Sequence, residues 1–493
     1  MGQLVVSNPI AVCLSRIMAE IKFGTSGWRS LIAHDFTFAN VQLAVQGISA
    51  YWNRELKRKK SPIYGRKPVV VLGHDTRFLG PEFTRCAAEV LHANGLEPLL
   101  CNRDAPTPVI SFSIIKKKAI GGINMTASHN PYDYQGLKFS GQDGAGAPAK
   151  VTAAVERNIL RLQEKGWTFK TSSTGYKPRT FDPRPAYLQR IRQIIDLDRI
   201  RAAKMKIAVE LMYGTGRGYL DRLLEEAGVK VTRFHDFLNP LFGGGHPEPN
   251  EAGMQPAREA ILARKASLGL GLDGDADRFG VVDKDGTFLT PNQILALALY
   301  HLKKNRGWSG SVVRTVPTSH QVDAVATLLG VKLHETPVGF KHIGALMESE
   351  PVIVGGEESG GLSVKGHVPE KDGILACLLM AELVATERKS LGQILQHLEK
   401  QSGAYFTERI NIKVDPEAKE ALLDKLAGGF EKIGGLRVRQ HITTDGHKFL
   451  LPDEEWLAFR PSGTEPVFRC YVEARSAKSL AKLQKAAKRL LAL

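Results

Sequence analysis

Nothing in this chain is apolar for long enough to cross a bilayer. Ile294–Tyr300 is among the longest uninterrupted apolar runs, far short of the roughly 18 residues a spanning helix needs. Cysteine is scarce. Five residues, Cys13, Cys86, Cys101, Cys377 and Cys470, are odd in number and form no C-x-x-C pair, which excludes a disulfide framework or a cysteine-bound zinc. They read as small apolar residues. The apolar start is broken by Ser7, Asn8 and Pro9 and has no basic segment before it, so it makes a poor signal peptide and a cytoplasmic protein is expected. No G-x-x-x-x-G-K-[ST] loop is present, which removes the common nucleotide cradle. Long single-sign charge runs are missing too: the basic clusters Lys57–Lys60 and Lys116–Lys118 are short. The net charge of +16, from 67 Lys+Arg against 51 Asp+Glu, is therefore spread over the chain. Spread charge suits a small phosphorylated ligand better than nucleic acid.

At 493 residues the chain is long enough for about three or four domains. β-Rich apolar runs alternate with helical patterns, the signature of α/β units. A strand at 67–73 leads to a helix over Pro81–Asn94 capped by Gly95, then a strand at 97–101. The pattern recurs at 206–212, with a helix through Glu226 closed by Gly228, and at 311–316, with a helix over 319–329 stopped by Gly330. Composition predicts a leader over 1–20 and α/β units over 21–180, 181–288 and 289–402. A smaller α+β unit follows over 403–493 and ends in a basic helix from Lys478. The polar stretch 170–185 reads as a linker.

Four loops carry groups that could do chemistry. Thr126-Ala127-Ser128-His129-Asn130-Pro131 follows a strand and lifts a serine out of the sheet edge; a serine reacts only when a base, metal or oriented partner assists it. A Thr/Ser cap with an Asn-Pro turn is the competing reading. Asp273-Gly274-Asp275-Ala276-Asp277-Arg278 follows an apolar strand. Three alternate carboxylates repel one another unless a hard cation such as Mg²⁺ sits among them. An EF-hand is excluded because Arg278 stands at its sixth position and Lys284 at its twelfth; a phosphatase-type D-x-D and a solvated acidic turn stay open. Gly355-Gly356-Glu357-Glu358-Ser359-Gly360-Gly361 offers an acceptor and a hydroxyl for sugar hydroxyls, or is a plain glycine turn. Arg460-Pro461-Ser462-Gly463-Thr464-Glu465-Pro466 has the composition of a dianion cradle, or of a hairpin turn. A reactive serine, a metal loop, a sugar-reading loop and a separate phosphate cradle are together what a phosphoryl shuttle on one sugar requires.

In order and spacing, T-A-S-H-N-P, D-G-D-A-D-R, G-E-E-S-G and R-P-S-G-T-E-P resemble the α-D-phosphohexomutase superfamily, as do F-G-T-S-G-W-R (23–29) and V-G-F-K (338–341). The resemblance runs from about residue 21 to the end. It implies a four-domain, heart-shaped fold, with three similar α/β domains, a smaller α+β C-terminal domain and a central active site. It further implies Ser128 as phosphoserine, with Asp273, Asp275, Asp277 and the serine's phosphate binding Mg²⁺ and Arg278 beside them. Lys341, Glu357 and Ser359 would meet the substrate. Arg460, Ser462, Gly463 and Thr464 would hold the non-transferring phosphate. Arg29, His129 and Lys138 would lie near the reacting groups, with Lys138 the preferred acid/base.

Some relatives carry histidine after G-E-x-S-G, where this chain has Gly361; His367, with Glu370-Lys371-Asp372 beside it, is the expected substitute. The implied activity is that of a phosphoglucomutase interconverting glucose 1-phosphate and glucose 6-phosphate, primed by glucose 1,6-bisphosphate. A phosphomannomutase or dual enzyme is the alternative, and a non-catalytic sugar-phosphate-binding protein a remote one. Expected partners are small sugar phosphates, without nucleic acid or membrane, to a monomer or homodimer.

Overall fold

The computed structural model describes residues 20–24, 26–166, 176–413, 416–461 and 467–491. Most of the expected leader, part of the expected linker, and Ser462, Gly463 and Thr464 of the expected phosphate cradle lie outside them. Four sheets follow one another along the chain. The first is β1 (Trp28–Leu31), β2 (Val69–His74), β3 (Glu97–Cys101), β4 (Gly121–Met125), β5 (Tyr134–Ser140) and β6 (Arg179–Phe181), ordered β1-β5-β4-β2-β3-β6. The second is β7 (Lys206–Glu210), β8 (Lys230–Phe234), β9 (Leu268–Leu272), β10 (Phe279–Val282) and β11 (Phe288–Leu289), ordered β11-β10-β9-β7-β8. The third is β12 (Ser311–Thr315), β13 (Leu333–Thr336), β14 (Val352–Glu357) and β15 (Gly361–Val364), ordered β13-β12-β14-β15. A small ladder, β17 (Lys432–Ile433) with β18 (Leu436–Arg437), accompanies the fourth sheet. That sheet is β16 (Phe406–Lys413), β19 (Gln440–Ile442), β20 (His447–Leu450), β21 (Trp456–Pro461) and β22 (Val467–Ala474), ordered β16-β22-β21-β20-β19.

The first three sheets mix parallel central pairs with an antiparallel hairpin at one side, β4–β5, β9–β10 and β14–β15. The fourth is antiparallel throughout. The loops singled out in the sequence hang on those hairpins: Ser128 between β4 and β5, the aspartates between β9 and β10, and Glu358 and Ser359 between β14 and β15. Local sequence explains the elements around them. Thr37 caps the helix Phe38–Lys57 by accepting from the Asn40 N–H, and Arg54 and Lys57 complement the dipole at its far end. The strand Leu268-Gly269-Leu270-Gly271-Leu272 turns its leucines into the main core. Its glycines face the segment at Met254, where a Cβ on Gly271 would come 2.2 Å from the Met254 sulfur. Only glycine allows that approach.

The first three units share one continuous core. It runs from Val71 and Ile110 through Leu270 and Leu295 to the helix Gly373–Glu387, which is buried on nearly all sides. Cys377 on that helix reaches back to the Gly271 carbonyl. The C-terminal unit has a separate core around Leu422, Phe449, Phe459 and Leu483. No helix among the described residues is long and apolar enough to cross a membrane.

One buried pair sets the serine loop. Arg77 and Asp75 are both out of water and joined through Nε–Oδ2 at 3.1 Å. The two Arg77 Nη groups donate to the carbonyls of Ser128, Asn130, Pro131 and Tyr134. Asp75 also accepts from the Thr126 hydroxyl, and the guanidinium lies over the Phe242 ring. The fork geometry of arginine is what four carbonyls at different angles require. Arg77→Met leaves Asp75 buried without its partner and should cost about 3–5 kcal/mol, read as a lower urea midpoint. Proteolysis within 126–134 should quicken, and Arg77→Lys, which keeps charge without the fork, should fall between.

Candidate active site

Ser128 stands at the junction of the first and second sheets. Its backbone is left-handed, at φ 54°, a conformation that costs a non-glycine residue about 1–3 kcal/mol and persists only where surroundings enforce it. Arg77 holds its carbonyl and the Thr126 hydroxyl accepts its N–H. So fixed, the Ser128 Oγ donates to Asp273 Oδ2 at 2.8 Å. His129 Nδ1 lies 3.5 Å from the same Oγ. Burial, with Arg278 and Arg29 nearby, holds that imidazole well below its usual pKa, so the ring is neutral at pH 7. Arg29, on β1 opposite Gly136, donates to Asn130 Oδ1 at 2.7 Å.

Asp273, Asp275 and Asp277 are all buried, and each offers an oxygen within 4.8 Å of the others. Burial and the other two carboxylates push Asp273 well above the usual carboxylate range. The Arg278 N–H donates to its second oxygen. Burial would raise Asp277 too, but Lys138, Lys371 and Arg278 hold it below that range. Lys138 Nζ bridges Asp275 Oδ2 and Asp277 Oδ2 at 2.6 and 2.7 Å, and Lys371 Nζ lies 3.2 Å from Asp277. Burial alone would lower Lys138; the two aspartates raise it, so it is firmly an ammonium. Thr107 Oγ1 donates to Asp275 Oδ2 at 2.5 Å and itself accepts from the Asn124 side chain. The Oδ1 atoms of Asp275 and Asp277 are buried with no partner. Orphaned carboxylate oxygens converging from one tight loop suit a hard dication of the Mg²⁺ type.

The third unit closes the other side. Glu357 is buried, which raises its pKa, and its Oε1 accepts from the Gly339 N–H at 2.9 Å. That bond ties the sugar-type loop to the turn before Lys341. Lys341 lines one cleft with Lys138 and Lys371. Ser359 and Arg278 line a neighbouring cavity of about 420 Å³, bounded on the side of the fourth unit by Arg409, Trp456 and Tyr471. Arg460, at the end of β21, is paired with Asp445.

His367 does not join this site. Its side chain is fully buried, and Nε2 meets Asp372 Oδ2 at 2.7 Å. Asp372 also takes the Tyr187 hydroxyl and caps the helix Gly373–Glu387 through the Leu375 N–H. Proximity in sequence to Lys371 misleads here: Glu370 and Lys371 line the cleft with Lys138, whereas His367 turns to Asp372 and the Tyr187 side. The place beside Gly361 belongs to Lys371, whose stem lies where a Cβ would stand, 2.2 Å from its Cδ. A histidine at 361 and this lysine could not both keep their positions. Burial would lower the Lys371 pKa, but Asp277, Glu370 and Glu357 raise it.

Thr107 and Asn124 were not visible as site residues. Thr107-Pro108 reads as a helix start, and nothing local announces a partner 168 positions away.

The assembly agrees with what the chain is similar to. Four family models match in succession. "Phosphoglucomutase/phosphomannomutase, alpha/beta/alpha domain I" covers residues 20–166, domain II 185–286, domain III 290–401 and the C-terminal domain 410–490. A phosphoglucomutase/phosphomannomutase of Thermococcus kodakarensis is 31% identical over 92% of this chain and 94% of its own. A phosphoglucomutase of Komagataeibacter xylinus is 29% identical over 94% and 89%. A crystal structure of a candidate phosphomannomutase from Thermus thermophilus superposes with a TM-score of 0.82 at 32% identity, covering 96% of this chain and 99% of that one. With four domains matched in order around one buried serine–carboxylate site, the chain belongs to the phosphoglucomutase/phosphomannomutase family of the α-D-phosphohexomutase superfamily.

Proposed function

We propose that this protein is a phosphoglucomutase that interconverts glucose 1-phosphate and glucose 6-phosphate through a phosphorylated Ser128 and a glucose 1,6-bisphosphate intermediate. The observation that carries the reading is the Ser128 Oγ held 2.8 Å from Asp273 by a loop fixed from behind. Asp273, Asp275 and Asp277 would hold Mg²⁺, which when bound offsets charge on the transferring phosphoryl group. Everything else is work for the chain's own side chains.

In the forward direction the free hydroxyl of the sugar monophosphate attacks the phosphorus on Ser128. The bond from phosphorus to Ser128 Oγ breaks as the bond to the sugar oxygen forms, and the sugar's hydroxyl proton ends on the freed Ser128 Oγ, which restores the serine hydroxyl. The bisphosphate then turns around and returns its other phosphoryl group to Ser128. Arg460 holds whichever phosphate is not reacting. Glu357 and Ser359 read sugar hydroxyls in both orientations, and Arg29, Arg278 and neutral His129 surround the reacting groups. Lys371, over Gly361 and facing both Glu357 and Asp277, is held as an ammonium by its carboxylates as Lys138 is, and stands beside the sugar as a second countercharge. Lys138, the acid/base candidate, supplies countercharge between two metal-ligand carboxylates. Few hydroxyl contacts discriminate the sugar's 2-position weakly. The joint phosphoglucomutase/phosphomannomutase name of the Thermococcus relative favours a dual enzyme as the second reading.

Initial rates on the 1-phosphates of glucose, mannose and glucosamine, with Mg²⁺ and a trace of the matching bisphosphate, test this. Glucose should lead by tenfold or more, about 1.4 kcal/mol, and Ser128→Ala should abolish turnover. Parity with mannose would establish the dual enzyme. No turnover of any sugar by folded, primed protein would sink the reading. Thr107→Val removes the hydroxyl that orients Asp275, and the Mg²⁺ concentration for half-maximal rate should rise about 10–100-fold.

A further inference from the structure

The C-terminal domain has its own core, so what holds it over the cleft is a small set of polar contacts. The hairpin β19–β20 carries two of them. Lys448, on β20, is fully buried; its Nζ donates to the Val316 carbonyl of domain III at 2.9 Å and lies 4.4 Å over the Trp456 ring. At the hairpin tip, Asp445 Oδ2 accepts from the Val338 N–H of domain III at 2.6 Å. The other oxygen, Oδ1, is 3.0 Å from Arg460 Nε, an ion pair whose N–H is not aimed straight at it. Both side chains are largely shielded, 21% and 13% exposed, so water screens the pair only in part.

The position of Val338 gives this contact its meaning. The next amide, Gly339 N–H, is the one held by Glu357 of the sugar-type loop. Two consecutive N–H groups of one turn are therefore gripped from opposite sides, one by domain III's own loop and one by the C-terminal domain. That turn delivers Lys341 to the cleft. Asp445 engages Arg460 on its Nε edge, which leaves the Nη edge of the fork for a phosphate dianion. Swinging the C-terminal domain away would break the Val338 contact and leave Asp445 tethered to Arg460 of its own domain alone.

We propose that Asp445 is a positioning residue that couples the phosphate-holding Arg460 to the Val338–Lys341 turn of domain III, so that the carboxylate facing Arg460 is fixed from both of its oxygens when the C-terminal domain is seated. The inference rests on the reading of Arg460 as holder of the non-transferring phosphate. Its contribution is to binding at the remote end of the substrate, shared by ground and transition states, so its loss appears in KM rather than kcat.

The test compares wild type, Asp445→Ala and Asp445→Asn by two readouts. In hydrogen exchange of the unliganded protein, the segment 336–341 should exchange faster in Asp445→Ala. In Asp445→Asn, whose amide oxygen can still accept from Val338, it should exchange nearly as in wild type. In kinetics, Asp445→Ala should raise KM for glucose 1-phosphate about tenfold, as expected for loss of a hydrogen bond and charge contact, with kcat within about twofold. Asp445→Asn should give a smaller rise, because it restores the Val338 bond without the charge on Arg460. Unchanged exchange in Asp445→Ala, unchanged KM, or a fall in kcat at constant KM would each overturn the proposal. Should Asp445→Ala not fold, a raised KM with wild-type exchange in Asp445→Asn supports it and an unchanged KM overturns it. A wild-type protein that turns over none of the sugar phosphates would defeat the proposed function instead, and the exchange readout would still decide whether Asp445 holds the turn.

Discussion

Three carboxylates in one tight loop, all removed from water, set the terms for what surrounds them. Uncompensated buried charge is costly, and Asp273, Asp275 and Asp277 cannot compensate one another. Apart from Arg278, the countercharge and hydrogen bonds come from far along the chain. Lys138, Thr107 and the Ser128 hydroxyl belong to domain I, Arg278 to the loop itself, and Lys371 to domain III. The loop thereby becomes the electrostatic seam along which three domains meet, and the shared core beneath it makes the meeting rigid. The same arrangement brings the Ser128 hydroxyl against the aspartate loop.

Domain IV follows a different logic. With a core of its own and contacts to domain III through Lys448, Asp445 and the His320 N–H to Glu473 bond, it is joined by polar contacts rather than by a shared core. A substrate that must leave one orientation and adopt another needs one wall of the cleft to yield. In the proposed cycle that wall would be the C-terminal domain, which shares no core with the site where bonds change.

Much of this was legible in the sequence because it is local. The helix expected over Pro81–Asn94 is found at Gly80–Ala93, and Gly95 takes the left-handed conformation expected of a cap. The strand before the aspartate loop and its leucine–glycine alternation are likewise local patterns. Recognition of the loops by motif anticipated that Ser128 and the aspartates would meet, although they lie 145 positions apart. What stayed hidden was support from a distance. Thr107 looks like a helix start, Arg77 like an ordinary loop cation, and Asp445 like half of an Asp-Gly turn. His367 failed as a site residue for the converse reason: its neighbours in sequence are not its neighbours in space, and Asp372 draws it into the wall between domains.

The central claim is that Ser128 and the aspartate loop form one phosphoryl-transfer centre. Its most direct test is the intact mass of the protein, followed by peptide mapping, after exposure to glucose 1,6-bisphosphate with Mg²⁺. The account predicts a gain of one phosphoryl group, confined to the peptide containing Ser128 and discharged by added glucose 1-phosphate. No gain, or a phosphoryl group on another peptide, would contradict it.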